Sequence, residues 1–292
     1  MYLHNDSVDG APPTDLRFFV TLASTHPEQL LQTVEVRGFP NIDVEDMTYG
    51  ACPDGQGRCL YFADTGSNGN WRTSASGFKI AVVREEETFP TVVDPIQVIH
   101  FRYPEAAAAA SERLNFGDPS SQDPNASPTS PYWDTEAMAL QPSTGDLYFA
   151  TKASENGKGA YVYRLRRERF SETEPAVEFV AKLGFTNIAA CRLGELNATF
   201  AKNCYRVTGL DFSPDGSHVL VLAYGVLMEF DRDFSQVRSL AMTDPDMPQA
   251  EAIAYDRHDP SQFYYTTEVR AIPRLPGVSE RPLRRLSVSD LR

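Results

Sequence analysis

The sequence predicts an all-β fold, a β-propeller of five blades of four antiparallel strands with an incomplete closing seam, in one domain over residues 1–292. Three observations predict it. One short strand recurs along the chain, in Glu45-Asp46-Met47-Thr48, Glu136-Ala137-Met138-Ala139, Thr208-Gly209-Leu210-Asp211 and Glu251-Ala252-Ile253-Ala254. Each copy is followed by a turn and a second strand, and three of the four copies open on a glutamate. The intervening chain is rich in Val, Tyr, Phe and Leu, residues that suit a pleated, half-buried surface. Short strands recurring as a unit with one fixed polar position are the mark of a propeller, whereas a β-sandwich would show short strands without that repeat.

The elements follow in order. Second strands are read at 60–65, 147–152, 219–224 and 263–268, after turns built on Pro53-Asp54-Gly55, Pro142-Ser143-Thr144-Gly145, Pro214-Asp215-Gly216 and Asp259-Pro260, which is hairpin chemistry. Third and fourth strands are read at 79–84 and 96–103, at 160–166 and 177–183, and at 226–231 and 236–242. The last blade shows a third strand at 283–288 and no clear fourth. Residues 1–6 match a second-strand register, with 16–22 and 31–37 as third and fourth strands. This makes a fifth blade without its first strand. A four-bladed ring, with 31–37 closing the last blade, is the alternative. The stretch 104–131 is Ala, Ser, Pro, Asn and Asp with an alanine run, and reads as a low-complexity surface insertion.

Composition narrows the function. With 27 Lys and Arg against 40 Asp and Glu, the net charge is -13, which disfavours nucleic acid and anionic membranes as partners. No apolar run approaches the roughly 18 residues of a membrane span. Four cysteines fall into two local couples, Cys52 with Cys59 and Cys191 with Cys204. Neither couple has histidines at zinc spacing, so local disulfides are expected, with free buried thiols as the alternative. With sequons at Asn125 and Asn197, this points to an extracellular or secreted protein whose leader is absent from this chain, and to a monomer.

In a propeller the first strand of each blade lines the central channel. Glu45, Glu136 and Glu251 therefore converge, with Thr208 at the fourth position. Gathered carboxylates repel and call for a cation, a basic residue or a proton to neutralise them. The alternative is that each glutamate caps amides of the neighbouring blade. Second-strand ends add His4, Asn5 and Asp6; Asp64, Asn68 and Arg72; Lys152; Tyr224; and Glu268. For any one of these, a turn-forming role competes with a functional one.

At these residues the chain resembles a family of mostly secreted bacterial propeller proteins. The resemblance rests on His4-Asn5-Asp6-Ser7-Val8-Asp9-Gly10, Glu45-Asp46-Met47-Thr48, Asp64-Thr65-Gly66-Ser67-Asn68 with Arg72, Glu136-Ala137-Met138, the 208–216 segment and Glu251-Ala252-Ile253-Ala254-Tyr255. It departs at Ser67, where the family pattern has Asp, at Gln249-Ala250, and in lacking the opening strand. More distantly the chain looks like calcium-dependent lactonases and phytase-like propellers, which set axial carboxylates around a metal.

Three functions are expected from this reading. The first is a hydrolase of esters, lactones or glycans, in which Glu45, Glu136 and Glu251 hold Ca²⁺ or another divalent cation and Lys152, His4 or Arg72 serves as base or oxyanion stabiliser. A metal-free variant uses two carboxylates as acid and base on a glycosidic bond. In either form Asn5, Asp6, Asp64, Asn68, Thr208, Tyr224 and Glu268 contact a small molecule or carbohydrate at the channel mouth. The second is a module binding an extracellular glycan or protein through rim aromatics such as Trp71, Tyr132 and Trp133. The third is a scaffold without catalysis.

Overall fold

Alternating apolar residues drive every blade, because successive side chains of a strand point to opposite faces, and in blades 2, 3 and 4 each face meets a neighbouring sheet. In a computed structural model, which describes residues 2–4, 14–21, 30–67, 76–104, 134–152, 159–184, 206–241, 250–267 and 283–291, five sheets form a five-bladed β-propeller. Blade 1 holds β1 (Tyr2–His4), β2 (Asp15–Thr21), β3 (Leu30–Pro40) and β7 (Val92–Val93). Blade 2 holds β4 (Val44–Ala51), β5 (Arg58–Asp64), β6 (Phe78–Arg84) and β8 (Gln97–Phe101). Blade 3 runs β9 (Thr135–Leu140), β10 (Leu147–Thr151), β11 (Gly159–Leu165) and β12 (Glu178–Gly184). Blade 4 runs β13 (Val207–Phe212), β14 (His218–Ala223), β15 (Val226–Asp231) and β16 (Gln236–Ala241). Blade 5 has β17 (Ala250–Tyr255), β18 (Gln262–Thr267) and β19 (Leu283–Ser287).

The core divides between the blades. Tyr61, Ala63, Phe101, Met138, Leu140 and Phe149 pack between blades 2 and 3, while Ala137, Ala139 and Ala150, on the opposite face of blade 3, pack toward Phe212 and Val221 of blade 4. Phe18, Val36, Leu60 and Phe62 fill the junction of blades 1 and 2. Leu220, Leu222, Phe263 and Tyr265 fill that of blades 4 and 5. Burying one such side chain contributes about 1.5–3 kcal/mol. Among the described residues no such cluster joins blade 5 to blade 1.

The inner strands β4, β9, β13 and β17 lie side by side around the channel. Side chains bind them across the blade gaps. The Asp46 carboxylate accepts the Met138 amide at 2.6 Å, Thr48 Oγ1 accepts that of Leu140 at 3.2 Å, and Asp211 accepts that of Tyr255 at 2.8 Å. Both acceptors on β4 step by two residues in the same direction as their donors on β9, so these inner strands run in parallel. All four therefore start at one end of the ring, the front, and finish at the other, the rear.

Blade 1 differs from expectation at its outer side. Its third strand in sheet order, β3, covers the predicted fourth, and β7 adds outside it by parallel pairing of Glu35 with Val92 and Val36 with Val93. β7 belongs to the chain between β6 and β8 of blade 2. Gln32 Nε2 and the Glu35 amide bond this segment at Phe89 and Thr91, and the hydroxyls of Tyr2 and Tyr49 both donate to Glu85. At the rear Cys52 and Cys59 form the expected disulfide, and Arg167 of blade 3 donates to the Cys52 and Pro53 carbonyls beside it. The Cys191–Cys204 couple and the 104–131 insertion, apart from Pro104, lie outside the described residues.

Candidate functional site

The front end is built where the second strands stop. Thr65, Lys152 and Tyr224 follow β5, β10 and β14 at equivalent places, one residue beyond the partners of Val44, Thr135 and Val207. Each reaches an inner strand. Thr65 Oγ1 donates to the Thr135 carbonyl at 2.9 Å, Lys152 Nζ forms an ion pair with Glu136, and the Tyr224 hydroxyl donates to Glu251 Oε1 at 3.0 Å. The Lys152 and Glu136 side chains are 11% and 3% exposed.

A second group gathers around the loop after β5. The Asp43 carbonyl accepts the Thr65 and Gly66 amides at 3.2 and 3.1 Å, and the Asp134 carboxylate accepts the Ser67 amide at 2.8 Å. Gly66 has no room for a side chain. A Cβ there would sit 2.6 Å from Asp43 Oδ2 and would collide with Glu45 Oε1. The glycine of the Asp64-Thr65-Gly66-Ser67 motif is thus required by the approach of two carboxyls. Burial pushes the Asp134 carboxyl above its ordinary range, opposed by Lys152 and the Ser67 amide and reinforced by Asp43.

The structure locates the other sequence-derived residues as follows. Asp64 is fully buried, accepts the Asp43 amide at 3.2 Å and pairs with Lys79 at 3.3 Å, which sets it behind the site rather than at its surface. Thr208 is buried, with its hydroxyl donated to the Ala250 carbonyl at 2.6 Å across the gap between blades 4 and 5. His4 is half-buried, its ring edge-on to Phe62 at 6.3 Å. Asn5, Asp6, Asn68, Arg72 and Glu268, with Trp71, Tyr132 and Trp133, lie outside the described residues.

Sequence reasoning passed over four acids. Asp43 and Asp134 precede inner strands, outside the repeated motif, and only their shared position two residues before the glutamates marked them. Asp46 and Asp211 stand inside the motif but at different repeat positions, so no column of equivalent residues showed them. Burial pushes both carboxyls up, Asp46 far above its ordinary range, and the charges of Asp211 and Glu251 add to the effect on Asp46. Asp211 is countered first by Arg257, whose guanidinium donates to both carboxylate oxygens at 2.8 and 3.0 Å. These two acids perform the amide capping between blades that was the alternative role for the glutamates.

A divalent cation needs several oxygen donors turned on one point. Glu136 instead takes an ammonium and Glu251 a phenol, and among the described residues no three of His, Cys, Asp and Glu group closely enough to hold a metal ion.

The sequence matches no protein-family model and no curated protein. Among solved structures it is similar to a Bacteroides uniformis protein described as a candidate 6-phosphogluconolactonase, at 13% identity and a TM-score of 0.38, over 92% of this chain and 61% of that one. It is also similar to a chain of a nidogen/laminin complex, at 8% identity and a TM-score of 0.33, over 55% of this chain and 46% of that one. The chain thus spans less than two thirds of either.

Proposed function

We propose that the front mouth of the channel is a binding site for a small polar molecule, of carbohydrate or related polyhydroxylated class, in a protein of an oxidising, extracellular setting. The buried Lys152–Glu136 pair carries this reading. Taking two charges out of water costs several kcal/mol per ion and is poorly repaid as stability. A pair kept at the end of a channel, beside Asp134 and the Gly66 loop, supplies a fixed donor and a fixed acceptor for ligand hydroxyls. The Cys52–Cys59 disulfide supports the compartment.

The test is a thermal-shift and calorimetric screen of monosaccharides, amino sugars and aldonolactones, repeated on Glu136→Gln. Ligand at 100 times its Kd should add about 2.7 kcal/mol to the stability of the wild type and little to the variant. Equal shifts in both proteins would remove the mouth from binding.

Asp134 favours a second reading, metal-independent hydrolysis at the same mouth. A carboxyl whose pKa burial raises keeps its proton more readily than a free one and is suited to give it to a leaving oxygen, while the Lys152 ammonium offsets negative charge developing on an ester or lactone carbonyl. Asp134→Asn should then lose turnover of a lactone or aryl ester while retaining ligand binding. Undiminished turnover in that variant would exclude it.

A further inference from the structure

Blade 5 ends on a strand that the other blades bury. β19 stands third in its sheet, after β17 and β18, with no fourth strand beyond it among the described residues. The third strands of blades 2, 3 and 4, namely β6, β11 and β15, are mostly buried. By contrast, all five residues of β19 are half-buried or exposed.

Its chemistry is unlike the rest of this acidic molecule. Arg284 and Arg285 sit at its centre, and Arg285 is exposed, opposite Tyr264 in the sheet with its guanidinium 5.8 Å from that ring. Leu283 and Leu286 flank them, half-buried. An open strand edge offers a row of amides and carbonyls to any extended chain, and the side chains decide which chain is accepted.

We propose that the outer edge of β19 docks an extended acidic segment of another protein, which completes blade 5 as its fourth strand. Charge selects the occupant. A glutamate of an incoming strand would lie opposite or diagonal to the exposed Arg285, where opposite charges attract. A second copy of this chain is disfavoured. Antiparallel self-pairing that matches all five residues would set Arg285 against Arg285. This inference is independent of the front mouth.

The test uses the full chain and two fluorescein-labelled peptides, TEVEVET and its lysine counterpart TKVKVKT, followed by fluorescence anisotropy. The acidic peptide should bind, the lysine peptide should not, and added salt should weaken the acidic complex. Hydrogen exchange should slow at residues 283–287. Arg285→Glu, an exposed change that leaves the fold intact, should weaken the acidic peptide by roughly three- to thirty-fold, from the loss of an attractive cross-strand pair and the gain of a repulsive one. Arg285→Pro should abolish binding by removing an edge amide. Failure of both peptides would overturn the proposal and leave the arginines as guards against edge pairing. Unchanged affinity in Arg285→Glu, or protection that appears on self-association instead, would overturn it as well.

Discussion

The two ends of the ring use the same residue type in opposite ways. At the rear, aspartates close the turns between strands. Asp215 accepts the Ser213 hydroxyl and the Ser217 amide and hydroxyl, Asp231 accepts the Asp233 and Ser235 amides, and Asp256 accepts those of His258 and Asp259. Hydrogen bonds to the charged form hold the Asp215 carboxylate down at about 2 and the Asp256 carboxylate below its ordinary value. Toward the front, burial outweighs the hydrogen bonds, and Asp134 and Asp46 are pushed up. A carboxylate that finishes a turn in water stabilises the fold, whereas one held out of water is retained for what it can hold or donate.

The contrast can be broken most severely at Lys152. Lys152→Met leaves the Glu136 carboxylate buried without its cation, and denaturant unfolding should show a loss of about 3–5 kcal/mol, largely recovered by adding Glu136→Gln. The control is exposed Glu172, which pairs at the rear with Arg169. Glu172→Gln should leave the unfolding midpoint nearly unchanged. Next in size is the rear disulfide. Cys52→Ser with Cys59→Ser should cost about 2–4 kcal/mol by thermal unfolding without altering ligand binding at the front.

Gly66→Ala sharpens the comparison from the other side. Its methyl group must displace Glu45 and Asp43, so a loss of about 1–3 kcal/mol should accompany loss of ligand binding. The matching change at the rear, Gly216→Ala, is strained by its φ of +71° and should lower stability with binding retained. A Gly66→Ala protein that binds normally would detach the loop from the site.

The smallest effect is in pH dependence. Asp215 binds fewer protons folded than unfolded, so its contribution is present above the ordinary carboxylate range and is lost as pH falls toward about 2. Asp134 binds more protons folded, so its contribution is full below the ordinary range and is lost as pH rises through its raised value. Thermal midpoints recorded against pH should show Asp215→Asn flattening the acid limb and Asp134→Asn flattening the limb above it. The same profile in both variants would erase the distinction between the ends.

The fold was legible because repeats expose themselves. Glu136-Ala137-Met138 and Glu251-Ala252-Ile253 announce equivalent strands whatever the length of the chain between them, and the turns at Asp54, Ser143 and Asp215 fix where each strand reverses. β7 was not legible, because two valines in a loop carry no alternation and their partner lies in another blade. At the site, the repeat identified Glu136 and Lys152 as near neighbours but not as partners. Periodicity gives the face on which a side chain lies, while pairing depends on distances between strands. Asp43 and Asp134 belong to connections rather than strands, and only their common place two residues before Glu45 and Glu136 marks them.

The parallel pairing of β7 with β3 also has a consequence for assembly. The outermost strand of the first blade is made only after β4, β5 and β6 of the second, so the amino-terminal blade cannot finish before its successor is largely synthesised. The two should mature as one cooperative unit, opening and closing together in hydrogen exchange. Blades 3 and 4 take all their strands from consecutive chain and can each close as they emerge from the ribosome.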